Sequence, residues 1–508
     1  MILLLPWLPF LAAFAILFVP KEKEGVLKLL AIGSSAACFA ITLFLFFTFD
    51  RTAAGYQFMH KFEWLPALGI SYQVGLDGIN LTLCLLHALV SLAGAFVACW
   101  PESYDSGTLG GTGHSPLRRP KERLKEYLFF YSILVGAIYG VFTSLDLFFL
   151  YLYYETTLIP LFPMIGVWGS KNKSYGAMKL TIFITAGAVL ALFGILLLYR
   201  QLGTPTFDLI QIQQILRARP FDFEFQKTVA AFLLIGFGVI ASLWPLHSWS
   251  PIGYAAAPTS VSMLHAGVLK KMGPYLILRL AIALLPAGTA AWAKPLAVLA
   301  GIGIVYAGYA ALQQKDLKFM IGFSSVSHMG YVLLGIAALT HTSLSGAVLL
   351  IFSHGVMAAA TFAVIGFLYE QTHTRGVSDF GGLGKKAPFI AVCFALVSFA
   401  SLGLPGFSNF VSELLVFIGS WQKFPVITGF AVFGILVTAL YLLRAVQKVC
   451  YGPENPTLQN FKDMSGFFQK FPLLLLLGAL LIFGFWPQGL LNIIRPAVTA
   501  LLATGLGQ

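Results

Sequence analysis

The sequence predicts an all-α integral membrane protein with about fourteen transmembrane helices, two of them broken. Of its 508 residues, 58% are hydrophobic and only 10% are charged, and the mean hydropathy is +0.84. Soluble domains carry about 25% charged residues. Apolar runs of about 20 residues recur from end to end, each long enough to cross a hydrocarbon core about 30 Å thick. The composition leaves no room for a sizeable soluble domain.

The predicted spans follow one another with short connections between them. They cover residues 2–19, 26–48, 79–99, 126–143, 147–167, 177–200, 228–247, 258–284, 292–312, 318–339, 344–370, 388–421, 425–451 and 471–490. The N-terminal MILLLPWLPFLAAFAILFVP has no basic leading region and no small-residue cleavage site, so we expect an uncleaved first helix.

The net charge of +12 comes from Lys and Arg in the connections, which is a topology signal and not a nucleic-acid footprint. The connections after odd-numbered spans are the more basic ones and read PKEKEG, PLRRPKERLKE, SKNKS, QQKDLK and GKK. Because basic connections stay on the cytoplasmic side, both termini are expected on the outer side, in a bacterial inner membrane.

Two spans contain helix breakers. The seventh runs into LWPLHSWSPIGYAAAPTS, and the twelfth contains SLGLPGFSNF. Proline removes a backbone donor, and irregular backbone at membrane depth needs protein or a hydrated cavity around it. The breaks lie five spans apart, so the two segments cross in opposite directions, as broken helices of inverted repeats do. The long connection between spans 6 and 7 carries an amphipathic stretch, expected to pack on the rim.

Several ionisable residues stand inside the spans, at a cost of at least roughly 2.5–3.5 kcal/mol each for Asp, Lys or Arg on insertion scales. They are Glu155, His247, His265, Lys270, Lys271, His328, His354 and Glu413. A single buried His is often a structural contact, and one of two adjacent lysines can extend to the interface. Carboxylate, imidazole and ammonium groups in successive spans are together the composition of a proton relay.

Other chemistries lack their signatures. There is no phosphate-binding loop, no dinucleotide motif and no H-E-x-x-H, and no pair of histidines demands haem. The cysteines form no C-x-x-C pair, so no disulfide framework, iron–sulfur cluster or zinc site is expected. They are Cys38, Cys84, Cys99, Cys393 and Cys450. We expect no catalytic residue, metal site or cofactor site on this chain.

Ordered motifs along nearly the whole length resemble the antiporter-like proton-pumping subunits of respiratory complex I, the M type (mitochondrial chain 4) most closely. They are YQVGLDGINLTLCLL, LDLFFLYLYYETTLIPLF, PLHSW, APTSVSMLHAGVLKKMGPYLILR, LQQKDLKFMIGFSSVSHMGYVLLGI and GLPGFSNFVSELLVFIGSW. The resemblance implies fourteen helices with two inverted five-helix repeats. The units would be helices 1–3 in 1–125, the repeats in 126–284 and 285–451, and helix 14 in 452–508.

The resemblance also implies roles. Glu155 would be a pair-forming switch and Lys271 the central proton carrier. His265, His328 and His354 would be hydrated relay groups, with His247 and Lys270 as possible accessories. Glu413 would lead to the outlet or to the next subunit.

The sequence departs from the family around the seventh helix. Ile240 stands where relatives carry a lysine that balances the fifth-helix glutamate, and Ile252 and Tyr254 replace an Asp and a His. Without that lysine, we expect Glu155 to be neutral at rest or paired with a group from elsewhere, such as a neighbouring subunit.

The resemblance implies a membrane-arm translocase subunit that couples quinone reduction, driven by NAD(P)H or ferredoxin, to proton pumping. FMN, iron–sulfur clusters and quinone would lie on partner subunits. The partners would be L-, N- and K-type chains and lipid, and not nucleic acid. Three alternatives stay open: the D-type subunit of a multisubunit Na+/H+ antiporter, the matching subunit of a membrane-bound hydrogenase, and a structural spacer with a partly degraded channel. Glu413 argues against the first, because D-type relatives usually carry lysine there.

Overall fold

A computed structural model describes residues 1–52, 55–100 and 123–503. Its helices are α1 Leu4–Phe18, α2 Glu24–Thr48, α3 Gly78–Ala98, α4 Leu124–Thr143, α5 Leu147–Trp168, α6 Lys173–Leu202, α7 Leu209–Ala218, α8 Phe223–Ile240, α9 Trp249–Ala256, α10 Thr259–Gly267, α11 Met272–Leu276, α12 Pro286–Ala291, α13 Ala293–Leu312, α14 Leu317–Ala338, α15 His341–Thr372, α16 Leu383–Lys386, α17 Pro388–Ser401, α18 Ser408–Trp421, α19 Pro425–Cys450, α20 Gly466–Phe485 and α21 Gln488–Leu502. Within the described ranges, 11 helices are long and apolar enough to cross a membrane, with α1 and α17 as shorter apolar helices. The predicted helical membrane fold is confirmed. Most of the basic connection PLRRPKERLKE lies outside the described residues.

Helix α15 forms the centre of the bundle. Every residue from Ser343 to Leu368 is buried, and α15 packs against α3, α10, α14 and α18. Its neighbours α3 and α14 are nearly as enclosed, whereas α2, α6 and α19 present large apolar side chains on the outside. A helix buried on all sides carries its polar groups into the protein interior and not toward lipid.

Both predicted helix breaks are present, and they have the same geometry. Helix α8 ends at Ile240, and the chain turns through Ser242 with φ +59°, while α17 ends at Ser401 and turns through Gly403 with φ +67°. In each break the first two turn residues donate backbone hydrogen bonds back to the helix. Left-handed backbone at this position is a common way to end a helix.

The predicted continuous helix over 258–284 is wrong in its interior. A 3-10 turn, Leu269–Lys271, separates α10 from α11, and a π-helical segment, Ile277–Ile282, follows. The predicted last span begins a few residues earlier, as α20, and is followed by α21, which the sequence did not indicate. Short 3-10 and π segments inside a helix are common at functional sites.

The structure also contains a β-hairpin outside the spans, which the all-α prediction did not include. Strand β1 (Gln57–Leu65) pairs antiparallel with strand β2 (Ile70–Leu76), just before α3. On β1, Lys61 Nζ lies 2.8 Å from Asp208 Oδ2, and Asp208 also caps α7 by accepting from two backbone N–H groups. Helix α7 is the amphipathic stretch expected on the rim, with Leu209 and Ile212 turned inward.

Candidate functional site

Most of the predicted ionisable residues meet in one buried region between α10, α14, α15 and α18. We call this set the buried polar chain. It consists of His265, Lys270, Lys271, His328, His354 and Glu413, none of them more than 4% exposed. Its members come from segments far apart in sequence, so the fold brings them together.

The two lysines occupy the 3-10 turn between α10 and α11, and two glycines bring this turn close to α15. A Cβ built on Gly355 would lie 2.5 Å from the carbonyl oxygen of Gly267, so only glycine permits this crossing. Gly355 directly follows His354, so this close crossing lies next to that imidazole. The side chain of Lys271 donates to the carbonyl oxygen of Ala266, at the end of α10.

Lys270 points the other way and is held by hydroxyl groups. Its Nζ donates to Ser250 Oγ on α9 at 3.1 Å and to Ser325 Oγ on α14 at 3.3 Å. It also lies 5.5 Å above the ring of Tyr254. Neither lysine reaches the membrane interface, so the expected extension of one of them to the surface is wrong, because serines from two helices satisfy it in the interior.

His265 lies in an aromatic cage beside Lys270. Its ring centroid is 5.3 Å from that of Trp249 and 5.2 Å from that of Tyr254. Neither ring nitrogen has a hydrogen-bond partner among the described residues. Buried polar groups are almost always hydrogen-bonded, and ordered water normally serves those that lack a protein partner.

His328 connects α14 to the broken twelfth helix. Its Nδ1 lies 2.8 Å from the carbonyl oxygen of Ser324, and its Nε2 lies 3.0 Å from that of Ser401, the last residue of α17. Carbonyl oxygens only accept, so a neutral imidazole can satisfy one of the two contacts and an imidazolium can satisfy both. Glu413 Oε1 lies 3.8 Å from the same Nε2, and the ring of His354 is 5.2 Å away. The site can therefore hold a second proton on His328.

Glu413 is pressed against the break in the twelfth helix. A Cβ built on Gly403 would lie 2.5 Å from Glu413 Oε2, so the carboxylate fills the space that a side chain would take. Its Oε1 has no hydrogen-bond partner among the described residues, and neither does either amide atom of Asn409 one turn earlier. The Glu413 end of the buried polar chain is therefore rich in polar atoms that water can bridge.

Glu155 lies apart from the buried polar chain. It is half-buried, and no ion pair to it occurs within the described ranges. On the same face, Leu152, Ile159 and Phe162 are 44%, 66% and 47% exposed. This carboxylate therefore faces the lateral surface of the protein.

The other predicted positions lie around the buried polar chain and form no hydrogen bond with its members. His247 is 5% exposed in the break after α8, with its ring 5.2 Å from that of Tyr306. Ile240 is buried against α11, where a Cβ on Gly273 would lie 2.7 Å from Ile240 Cγ2. The family's lysine position is thus filled by aliphatic packing two residues from Lys271.

Sequence reasoning missed the hydroxyl groups that lie around the ionisable residues. Tyr441 donates to Ser324 Oγ at 2.7 Å, and Ser250 and Ser325 hold Lys270. Serine is unremarkable in a helix, but the SS pair at 324–325, one turn before His328, was a signal that could have been used. Hydroxyls both donate and accept, so they can pass a proton between groups that are too far apart for direct contact.

No cluster of three or more His, Cys, Asp or Glu in the described part of the chain is arranged to hold a metal ion. The five cysteines are free and buried. The arrangement places a series of proton donors and acceptors inside a closed helix bundle.

Known proteins are similar to this chain in sequence and in fold. The profile of the NADH:quinone oxidoreductase/Mrp antiporter transmembrane family matches residues 144–438. NADH-quinone oxidoreductase subunit M of Rickettsia conorii is 33% identical over 496 residues, 96% of each chain. NAD(P)H-quinone oxidoreductase chain 4-2 of Synechocystis sp. is 34% identical over 472 residues, 90% of this chain and 80% of that relative.

Solved structures agree. A chain of respiratory complex I from Thermus thermophilus with bound NADH superposes with a TM-score of 0.84 at 27% identity, over 99% of this chain and 100% of that chain. A chain of the Mrp complex from a Dietzia species reaches the same TM-score at 19% identity, over 98% and 97%, and thus shares the fold. The resemblance drawn from the motifs is confirmed, and the protein belongs to the NADH:quinone oxidoreductase/Mrp antiporter family.

Proposed function

We propose that this protein is a proton-translocating subunit in the membrane arm of a complex I-like NADH:quinone oxidoreductase. The observation that carries the proposal is the buried polar chain, in which two lysines, three histidines and a glutamate are gathered inside a closed bundle. Intramembrane ionisable groups arranged in this way are typical of proton paths. The chain itself supplies no redox group to this scheme, and FMN, iron–sulfur clusters and quinone belong to partner subunits.

In this scheme Lys271 is the central proton carrier. His265 is a relay group near α9, with Lys270 as an accessory. His328 and His354 carry the proton toward the twelfth helix. Glu413 receives it and leads to the outlet or to the next subunit. His247 is an accessory group at the first break.

Glu155 forms its ion pair with a group of a neighbouring subunit and not with another residue of this chain. Support comes from its half-buried position among exposed apolar side chains and from Ile240, which stands where relatives carry the lysine. A carboxylate facing hydrocarbon is costly, so a cationic group on the adjacent subunit is the expected partner. L-, N- and K-type chains are the expected neighbours.

The chain divides into helices 1–3 in 1–125, five-helix repeats in 126–284 and 285–451, and helix 14 in 452–508. The matching breaks at Ser242 and Gly403 support inverted repeats. So do Asp146 and Asp316, which cap α5 and α14 in the same way, each accepting from two backbone N–H groups. By the distribution of basic connections, both termini lie on the outer side of a bacterial inner membrane.

The test is proton pumping by vesicles that contain the whole assembly, measured as protons moved per electron transferred. Lys271→Ala and Glu413→Ala should each slow proton transfer about 100-fold or more, because a positioned proton-transfer group contributes that much. Lys385→Ala and Glu63→Ala are matched controls, since both side chains are exposed, and they should pump normally.

The outcomes separate the alternatives. If both interior variants pump as the unmodified assembly does, the protein is a structural spacer and the proposal fails. If pumping depends on the two residues but requires sodium and proceeds without quinone reduction, the antiporter alternative replaces it.

A further inference from the structure

A pocket away from the buried polar chain lies between the α13–α14 connection, residues 377–378 and the C-terminal part of α19. Its volume is about 310 Å³. The polar side chains that line it are Gln314, Lys315, Ser378, Tyr441, Arg444 and Lys448. None of the six residues of the buried polar chain lines this pocket.

The pocket concentrates positive charge. Arg444 and Lys448 are one turn apart on α19, so their side chains share a face, and Lys315 approaches from the α13–α14 connection. No carboxylate lines the pocket, and none of the three cations forms an ion pair within the described ranges. The nearest acidic residue in sequence, Asp316, is paired with Arg375 at 3.0 Å. Three cations gathered without a counter-ion create a positive potential that attracts an anion.

We propose that this pocket binds the phosphate headgroup of an anionic phospholipid. A guanidinium matches phosphate oxygens with its fork of donors, and the two lysines add point charges. The apolar part of the lining, Leu312 and Met320, suits the glycerol and the start of an acyl chain. Ligand pockets are typically about 300–1,000 Å³, so the pocket has room for a headgroup and not for a large cofactor.

The position in the membrane favours a lipid over a free ion. The elements that form the pocket end on the side that carries the basic connections QQKDLK and GKK. Anionic lipids in the cytoplasmic leaflet attract basic segments, and basic pockets between transmembrane helices on that side bind lipid headgroups. The pocket also touches the proton path, because Tyr441 donates to Ser324, whose carbonyl oxygen faces His328 Nδ1.

The test is native mass spectrometry of the purified assembly after delipidation, titrated with phosphatidylglycerol and, separately, with phosphatidylcholine. The unmodified assembly should bind one phosphatidylglycerol that the double variant Arg444→Gln/Lys448→Gln releases about 30-fold more easily, since each basic residue contributes about fivefold. The control Lys171→Gln/Lys385→Gln removes two exposed cations from connections on the same side and should bind normally.

A second variant guards against a folding defect. Lys315→Gln, in an exposed connection, should weaken binding about fivefold in an assembly of normal composition. Competition by inorganic phosphate identifies a site that also accepts free phosphate, which supports the same phosphate chemistry. Equal binding of phosphatidylcholine, or equal loss in the control variant, overturns the proposal.

Discussion

Replacing Gly403 by alanine tests how closely the broken twelfth helix and the proton path depend on each other. The residue has φ +67°, and left-handed backbone costs a non-glycine residue about 1–2 kcal/mol. The added methyl carbon would also lie 2.5 Å from Glu413 Oε2, roughly 1 Å inside van der Waals contact. The Glu413 carboxylate must therefore move in the variant. In the unmodified protein its Oε1 lies 3.8 Å from His328 Nε2.

We expect Gly403→Ala to lower the stability of the subunit by about 1–2 kcal/mol. We also expect proton transfer to slow by up to about 100-fold, because a misplacement of about 1 Å can cost that much. The assay measures protons per electron in proteoliposomes, together with the thermal unfolding of the same preparation. The matching residue in the first break is Ser242 with φ +59°, so this backbone conformation alone is tolerated in the fold.

Gly406→Ala is the control, because it separates strain from displacement of the carboxylate. Gly406 has φ +100°, but a Cβ there would meet only the Phe485 ring, at 3.5 Å. It should lose stability while keeping the normal ratio of protons to electrons. Normal pumping by Gly403→Ala, or an equal loss of pumping in both variants, would refute the reasoning.

Three further perturbations have defined outcomes. Ile240→Lys adds a buried cation near Lys271 and should change the pumping rate without abolishing it; an unchanged rate and proton ratio would exclude position 240 from the path. Glu155→Gln should weaken retention of the adjacent subunit on native gels in an ionic-strength-dependent way, and normal retention would remove the proposed intersubunit pair. Lys318→Met deletes the 2.8 Å hydrogen bond from Nζ to the Ala257 carbonyl oxygen and should lower thermal stability by about 1–3 kcal/mol, which unchanged unfolding would contradict.

The helix breaks could be predicted because their causes are local. Pro245 and Pro405 cannot continue a helix, and Gly403 supplies the left-handed turn. The 3-10 turn at Lys270 and Lys271 could not be predicted in this way, since leucine, lysine and methionine are all good helix formers. The turn packs against α8, a tertiary contact that no local pattern encodes. The hairpin was missed because its turn runs through Pro66–Leu68 and Gly69 and not through a two-residue Asn-Gly signal.

The identity of the ionisable residues was visible in the sequence, but their arrangement was not. In a membrane protein the lipid-facing surface is as apolar as the core, so hydrophobic periodicity does not separate the two. Glu155 and Glu413 both stand in apolar runs, yet one faces outward and the other is buried. The hydroxyls of Ser250 and Ser325 meet Lys270 because α9 and α14 both approach the 3-10 turn, which no local pattern encodes.

The side chain of Lys271 helps to complete the break between α10 and α11 in which it lies. Its ammonium donates to the carbonyl oxygen of Ala266, a backbone group released where α10 ends. A carbonyl left without a donor at membrane depth costs several kcal/mol. Lys271 cannot swing toward His354 unless water or a rewound turn takes over that carbonyl. In the proposed mechanism, a proton step through Lys271 therefore requires a backbone rearrangement at this turn.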